Sequence, residues 1–331
     1  MFFAKIRSKE SGLLLYGITP PKSTTPPEKL GESAQKSLSI LETLDIDALV
    51  IYDVQDESAR TSEERPFPFT SAIDPFAYTS QYLKGLPVQK IIYRPAGMFT
   101  KDELSTWLNG LKTHGFHPVF VGVPAPDYVG KTTLAEAYAI WREHYRDHSV
   151  IGAVTIPERH AVLKDEDVRI LDKVNCGVSY FISQCIFNVQ FTKKVLEDLV
   201  IACRQSGIAV PTMIFTLTIC GSVRTLHFME WLGIHIPDEI KEELKSCTNA
   251  ASRSKEIAIE IARELIQYCN ERAIPFGFNV ESVATRKEEV EASLELLSSI
   301  SHMLEVVGLR QRRMNVNGAP ANREAVSIPR E

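Results

Sequence analysis

Residues 180–219 read YFISQCIFNVQFTKKVLEDLVIACRQSGIAVPTMIFTLTI. Tyr180 to Phe187 is a short apolar run rich in aromatic and β-branched residues, and Thr212 to Ile219 is another. Between them, Thr192 to Gln205 carries apolar residues at helical spacing. Strand, helix and strand in one short stretch make a βαβ unit, and strands apolar throughout suit a parallel sheet covered on both faces. The pattern recurs at Leu13–Ile18, Ala48–Tyr52, Lys90–Tyr93, Pro118–Val123, Val150–Ile156 and Phe276–Val280, which brings the strands to eight. Eight alternations of strand and helix predict an α/β chain folded as a closed (β/α)8 TIM barrel, with a doubly wound open sheet as the alternative.

The helical stretches fit that frame. Glu28–Leu44 places Leu30, Ala34, Leu38 and Leu41 on one face. Lys101–Gly115 opens with Thr100 and Glu103 at capping-box spacing and stops at a glycine. Thr132–Tyr145, Asp165–Val174 and Val223–Leu232 are similar, with Thr132 as the expected cap of its helix. Pro237–Arg272 is a surplus before strand eight and reads as two helices broken near Cys247-Thr248-Asn249, and Lys287–Val307 supplies the last helix. One barrel domain is expected over 1–311. Residues 312–331 are polar and aperiodic, which predicts a flexible C-terminal tail. The loop Asp56–Ile73 is long and holds Glu63-Glu64-Arg65-Pro66-Phe67-Pro68-Phe69, which predicts a segment lying over the barrel mouth.

Composition narrows the partners. Of 331 residues, 44% are hydrophobic and 24% charged, which excludes a mostly disordered chain. Lys and Arg number 37 against 42 Asp and Glu, a net charge of −5 that argues against nucleic acid. Six cysteines contain no CxxC pair and read as reduced thiols rather than a disulfide framework or zinc site. The apolar run Leu13-Leu14-Leu15-Tyr16 is too short for a signal core or a membrane span, so a cytoplasmic protein with no membrane partner is expected.

Barrel chemistry sits at the C-terminal ends of the strands. Those ends carry Tyr16, Thr19, Tyr52, Asp53, Tyr93, Arg94, Asp127, Glu158, His160, Gln184, Asn188, Thr218, Asn279 and Glu281. A polar rim with aromatic walls suits a flat, hydrogen-bonding ligand. His160 is the only histidine near a strand end, so no catalytic metal is expected. Val129-Gly130-Lys131-Thr132-Thr133 resembles the end of a phosphate loop, but Ala125 stands where glycine is needed and Pro126 removes a backbone donor. No GxGxxG follows a strand, which excludes a Rossmann-type dinucleotide site. Gln184 lies in an apolar run, where its amide needs a partner: neighbouring backbone or a heterocycle. Glu281 is the one carboxylate ending strand eight. Buried alone it would have a raised pKa and donate a proton, whereas beside Arg94 or Arg159 it would stay ionised.

Six motifs carry a resemblance over roughly residues 13–305. They are Thr19-Pro20-Pro21-Lys22, Val50-Ile51-Tyr52, Pro157-Glu158-Arg159-His160, Lys173-Val174-Asn175-Cys176-Gly177, Ser183-Gln184-Cys185-Ile186-Phe187-Asn188 and Ile236-Pro237. In order and spacing the chain resembles the flavin-dependent methylenetetrahydrofolate reductase family. The resemblance implies hydride transfer from NAD(P)H to FAD and then to a one-carbon tetrahydrofolate, by a self-associating barrel. It assigns Tyr52, His160 and Lys173 to the flavin and Gln184 to the pterin. Tyr93 and Arg94 are candidate substrate contacts beside it. The sequence also departs from the family. Gly17 stands where a strand-one glutamate donates the folate proton, and Val121-Gly122-Val123 replaces the strand-four Arg-Gly-Asp. Ile51, Asp53 and Phe215-Thr216-Leu217-Thr218 also differ from the usual residues. Glu281 and Glu158 are the candidate replacement acids. Two other readings stand beside the reductase: a flavin-independent folate-binding one-carbon enzyme, and a non-catalytic barrel paired with a methyltransferase.

Overall fold

The computed structural model describes residues 2–57, 61–123, 128–145, 150–284 and 286–311. Its strands are β1 (Leu13–Ile18), β2 (Ala48–Ile51), β3 (Gln89–Pro95), β4 (His117–Val121), β5 (Ile151–Thr155), β6 (Val178–Cys185), β7 (Thr212–Thr218) and β8 (Phe276–Glu281). Each pairs in parallel with the next, and β8 returns to β1 through Leu13↔Gly277 to Gly17↔Glu281. The sheet is therefore closed, and the open-sheet alternative is excluded. Its helices are α1 (Phe2–Arg7), α2 (Pro27–Leu41), α3 (Pro75–Tyr78), α4 (Lys101–His114), α5 (Leu134–Tyr145) and α6 (Pro157–Leu163). The second half adds α7 (Glu166–Asn175), α8 (Val189–Ser206), α9 (Val223–Trp231), α10 (Asp238–Ser246), α11 (Ala250–Glu271) and α12 (Lys287–Val306). Among the described residues, no helix is long and apolar enough to cross a membrane.

Strand side chains alternate between two apolar layers, as the pleat requires. Leu13, Leu15, Val50, Ile91, Val119, Tyr180 and Ile182 fill the barrel interior. Leu14, Leu49, Ile92, Phe120, Phe181 and Phe215 pack outward under the helices. The Thr100–Glu103 capping box of α4 forms, and Gly115 ends that helix with φ 68°, the left-handed conformation glycine adopts without a Cβ penalty. The helix pair before β8 breaks at 247–249, as the sequence indicates.

Several local features differ from the sequence reading. Thr133, not Thr132, caps α5, exchanging bonds with Glu136, while Thr132 Oγ1 donates to the Phe99 carbonyl. Pro157–Leu163 forms a helix directly after β5, and α3 continues into a π turn over Thr79–Leu83. The proposed tail, 312–331, lies outside the described residues.

The N-terminal helix α1 has no counterpart in the sequence reading, because six residues are too few to show a period. Phe2 and Ile6 are buried in the interior cluster, and the Phe2 ring meets Tyr180 edge-on at 5.4 Å. This helix closes the N-terminal end of the barrel. Asp47 fastens it: Oδ1 accepts from Lys5 Nζ at 2.8 Å, while Oδ2 accepts from the Leu14 amide at 2.9 Å and Arg310 Nη1 at 2.5 Å. Burial alone would raise the Asp47 pKa, but Arg310, Lys5 and the Leu14 amide bring it below the ordinary carboxylate value. Asp47→Asn removes one of the two carboxylates on buried Arg310, leaving Asp45 at 3.1 Å, and should cost about 1–3 kcal/mol, read as a lower urea midpoint. Because the folded pKa is depressed, this stabilisation is present above the unfolded value of ~3.9 and is lost as pH falls through the folded one. The gap between the parent chain and Asp47→Asn should therefore narrow in acid.

Candidate functional site

At the C-terminal end of the barrel the inward positions become polar. Gly17 on β1 is paired directly with Glu281 on β8. A Cβ at Gly17 would stand 2.7 Å from Tyr52 Cε2 and 3.2 Å from Glu281 Cβ. The space of a strand-one side chain is thus filled from both sides, by an aromatic ring from β2 and a carboxylate from β8. Cys185 Sγ donates to Glu281 Oε1 at 3.1 Å. Asn279 Nδ2 donates to the Tyr52 hydroxyl at 2.8 Å and Thr216 Oγ1 at 3.3 Å, and lies 3.5 Å from Glu281 Oε2. Tyr93 closes the wall, its ring edge-on to Tyr52 at 4.8 Å.

The electrostatics follow from desolvation with no cation in this group. Burial raises the Glu281 pKa, and hydrogen bonds from Tyr52, Cys185 and Asn279 only partly oppose it. Burial, with the Glu281 charge adding, pushes the Tyr52 and Tyr93 hydroxyls and the Cys185 thiol well up. Cys185 also feels Glu158 at the start of α6. Burial, with the Glu166 charge adding, raises Glu158 to about 7. Two carboxyls whose protonated forms burial favours thus flank one thiol.

At these strand ends four buried polar atoms lack a partner among the described residues: Gln184 Oε1, Glu158 Oε2, Thr218 Oγ1 and Asn279 Oδ1. Gln184 Nε2 is committed to the Leu232 carbonyl at 3.1 Å, which leaves its oxygen to accept. These atoms are available to a polar ligand seated in the mouth.

Residues 61–73, in the loop between β2 and β3, form a strap at this mouth. It reaches α9, which follows β7, three strands from β2 around the ring of eight. Trp231 Nε1 donates to the Glu63 carbonyl at 3.1 Å, and Arg224 donates twice to the Pro66 carbonyl, at 3.0 and 2.7 Å. The returning end is pinned to the β1 loop by Ile73 N to the Pro21 carbonyl and a Lys22–Ala72 bridge. The sequence indicated a covering segment but gave no sign of its anchor on α9.

Of the candidate residues, Glu281, Tyr52, Tyr93, Gln184 and Glu158 gather here, and three lie elsewhere. Arg94 points outward, held by Asp53 at 2.9 Å and Asp74 at 2.7 Å, with its guanidinium 4.7 Å from the Phe99 and Trp107 rings. His160 is buried in the helix layer: Nε2 meets Asp198 on α8 at 2.9 Å and Nδ1 accepts the Glu166 amide at 3.3 Å. Lys173 donates to the Val154 carbonyl at 2.7 Å, and burial lowers its pKa to about 8. Lys173 lines a cavity of about 440 Å³ between α5 and α7, with Asp165, Arg169 and Asp172. Tyr16 also turns away, its hydroxyl 2.9 Å from Ser293 Oγ on α12, and Asn188 caps α8. Asp127 lies outside the described residues. Sequence reasoning missed Cys185, whose only signal was its place beside Gln184.

Comparison with known proteins gives the family. The family model for methylenetetrahydrofolate reductase matches residues 130–284. An uncharacterized protein from Clostridium thermocellum, described as binding two copies of 5-methyl-5,6,7,8-tetrahydrofolic acid, is 39% identical, with 92% of this chain and 100% of that chain covered and a TM-score of 0.80. The chain belongs to the methylenetetrahydrofolate reductase family. A GH113 β-1,4-mannanase, 12% identical over 88% of this chain and 98% of its own, has a TM-score of 0.50 and shares the fold alone. No curated protein matches the sequence.

This member of the methylenetetrahydrofolate reductase family does not present the residues of a flavin site held in the family's manner. Both ring nitrogens of His160 are engaged, Lys173 is bonded to the barrel backbone, and the Tyr52 hydroxyl belongs to the Asn279–Glu281 network. At the end of β4, where the family has an aspartate, Val123 lies close against Gly97 and Gly130. Nor is the strand-one glutamate restored by one substitution, because the Tyr52 ring holds its space. Gly17→Ala should destabilise the fold by about 1–3 kcal/mol through overpacking, measured by urea unfolding. Gly17→Glu should not improve any folate-linked activity.

Proposed function

We propose that this protein binds a one-carbon tetrahydrofolate in the barrel mouth and converts its methylene group to methyl, with a reduced nicotinamide as hydride source. The observation that carries the reading is the Gly17–Glu281 pair. Glu281 stands beside the position from which the resemblance has a glutamate donate the folate proton. In the proposed reaction Glu281 gives its proton to a folate nitrogen, and the bond from that nitrogen to the methylene carbon breaks. The resulting iminium accepts a hydride and becomes the methyl group. Cys185 and Asn279 hold the carboxyl in place, and Gln184 Oε1 accepts from the amino edge of the pterin. Folate binding by the Clostridium relative supports the choice of substrate.

No step is assigned to FAD. Purified protein should be colourless and should remain so after incubation with FAD and desalting. Retained flavin bands would overturn that part of the reading.

Glu281→Gln should keep 5-methyltetrahydrofolate binding and lower methylene reduction by about 10²–10⁴. The donor must be protonated, so turnover of the parent enzyme should fall as pH rises through the raised Glu281 pKa, a limb the Gln variant should lack. A parent chain that binds no reduced folate would defeat the whole reading. One that binds folate but oxidises no reduced nicotinamide would defeat its catalytic half.

A further inference from the structure

Arg65 lies on the strap in an unusual setting. Its guanidinium carbon is 5.2 Å from the ring centroids of Phe69, Phe228 and Trp231. Phe69 belongs to the strap, and the other two belong to α9. Aromatic rings attract the cation and shield it from water. Nε and Nη1 are nevertheless buried with no acceptor among the described residues. Asp56 and Glu57, on the same loop, favour the charge through space without accepting from these two atoms. A packed guanidinium with unused donors is a receptor for an anion, since charge-assisted hydrogen bonds are the strong ones and unmade ones are costly.

Its position says which anion. Leu232, whose carbonyl holds Gln184, directly follows Trp231, whose ring faces Arg65. A folate seated pterin-first on Gln184 extends toward the rim and ends in the two carboxylates of its glutamate tail. We infer that Arg65, caged on the strap, binds a carboxylate of that tail and couples substrate binding to the closed strap. The inference rests on the folate reading above and adds the residue that selects a charged tail.

The test is titration calorimetry on the full chain with two compounds: 5-methyltetrahydrofolate and the same molecule with both tail carboxyls as methyl esters. The parent protein should bind the diester about 10- to 100-fold more weakly, the range expected for a charge-assisted hydrogen bond. Arg65→Gln should weaken the folate to about the level of the diester and leave diester affinity unchanged, with Arg65→Lys in between. Trp231→Phe removes the strap bond to Glu63 while keeping a ring, and should weaken both compounds by the same factor. Equal weakening of both compounds by Arg65→Gln would make Arg65 a strap anchor only and overturn the inference. So would an unchanged folate affinity accompanied by weaker binding of the reduced nicotinamide nucleotide, which would assign the anion to a phosphate. If the parent chain bound neither compound, the folate reading itself would fail, and the inference with it.

Discussion

The contact of the Tyr52 ring with the bare backbone of Gly17 governs the chemistry available at this barrel mouth. In a closed ring of parallel strands the inward positions compete for one small volume, and a side chain missing from one strand is replaced from its neighbours. Here the ring comes from the end of β2 and the carboxylate from β8. Asn279 ties the two together through the Tyr52 hydroxyl, and Cys185 donates to Glu281 from β6. Among the described residues no cation neutralises this group, so burial works against ionisation of the carboxyl. Burial of this kind favours the protonated carboxyl, the form a general acid needs. In the proposed reading the acid stands on β8 rather than β1, in the same corner of the mouth.

The rest of the molecule holds that corner rigid and covers it. At the far end α1 plugs the interior, and Asp47 joins α1, β1 and the chain after α12 through one buried carboxylate. At the mouth the strap is fastened to the β1 loop on one side and to α9 on the other. Each of these fastenings joins segments far apart in the sequence. On α9 the strap is held by backbone carbonyls accepting from Arg224 and Trp231 and by ring contacts of Arg65 and Phe67 with Phe228.

All eight strands were legible in the sequence, within a few residues at each end, because buried parallel strands are continuous apolar runs. The plug α1 and the short segment 75–83 were not, since neither is long enough to show a period. At the site, Tyr52, Tyr93, Gln184, Glu158 and Glu281 could be drawn from their places after strands. Arg94 illustrates the limit of that rule: adjacent to inward Tyr93, it must point outward by the pleat, and it pairs there with Asp53 and Asp74. For His160 and Lys173 no strand rule applies. Each sits on a helix whose facing is set by packing against β5 or α8, a long-range contact that one sequence does not encode locally. The departures at Gly17 and Val121-Gly122-Val123 were visible as residue changes, but the filling of Gly17's space by Tyr52 was not.

The most direct measurement is a crystal structure of the protein with 5-methyltetrahydrofolate. The expected result is a pterin inside the ring of strand ends, its amino edge on Gln184 Oε1 and its N5 side facing the Glu281 carboxyl. A pterin seated only in the groove between α5 and α7, with Glu281 and Gln184 untouched, would contradict it.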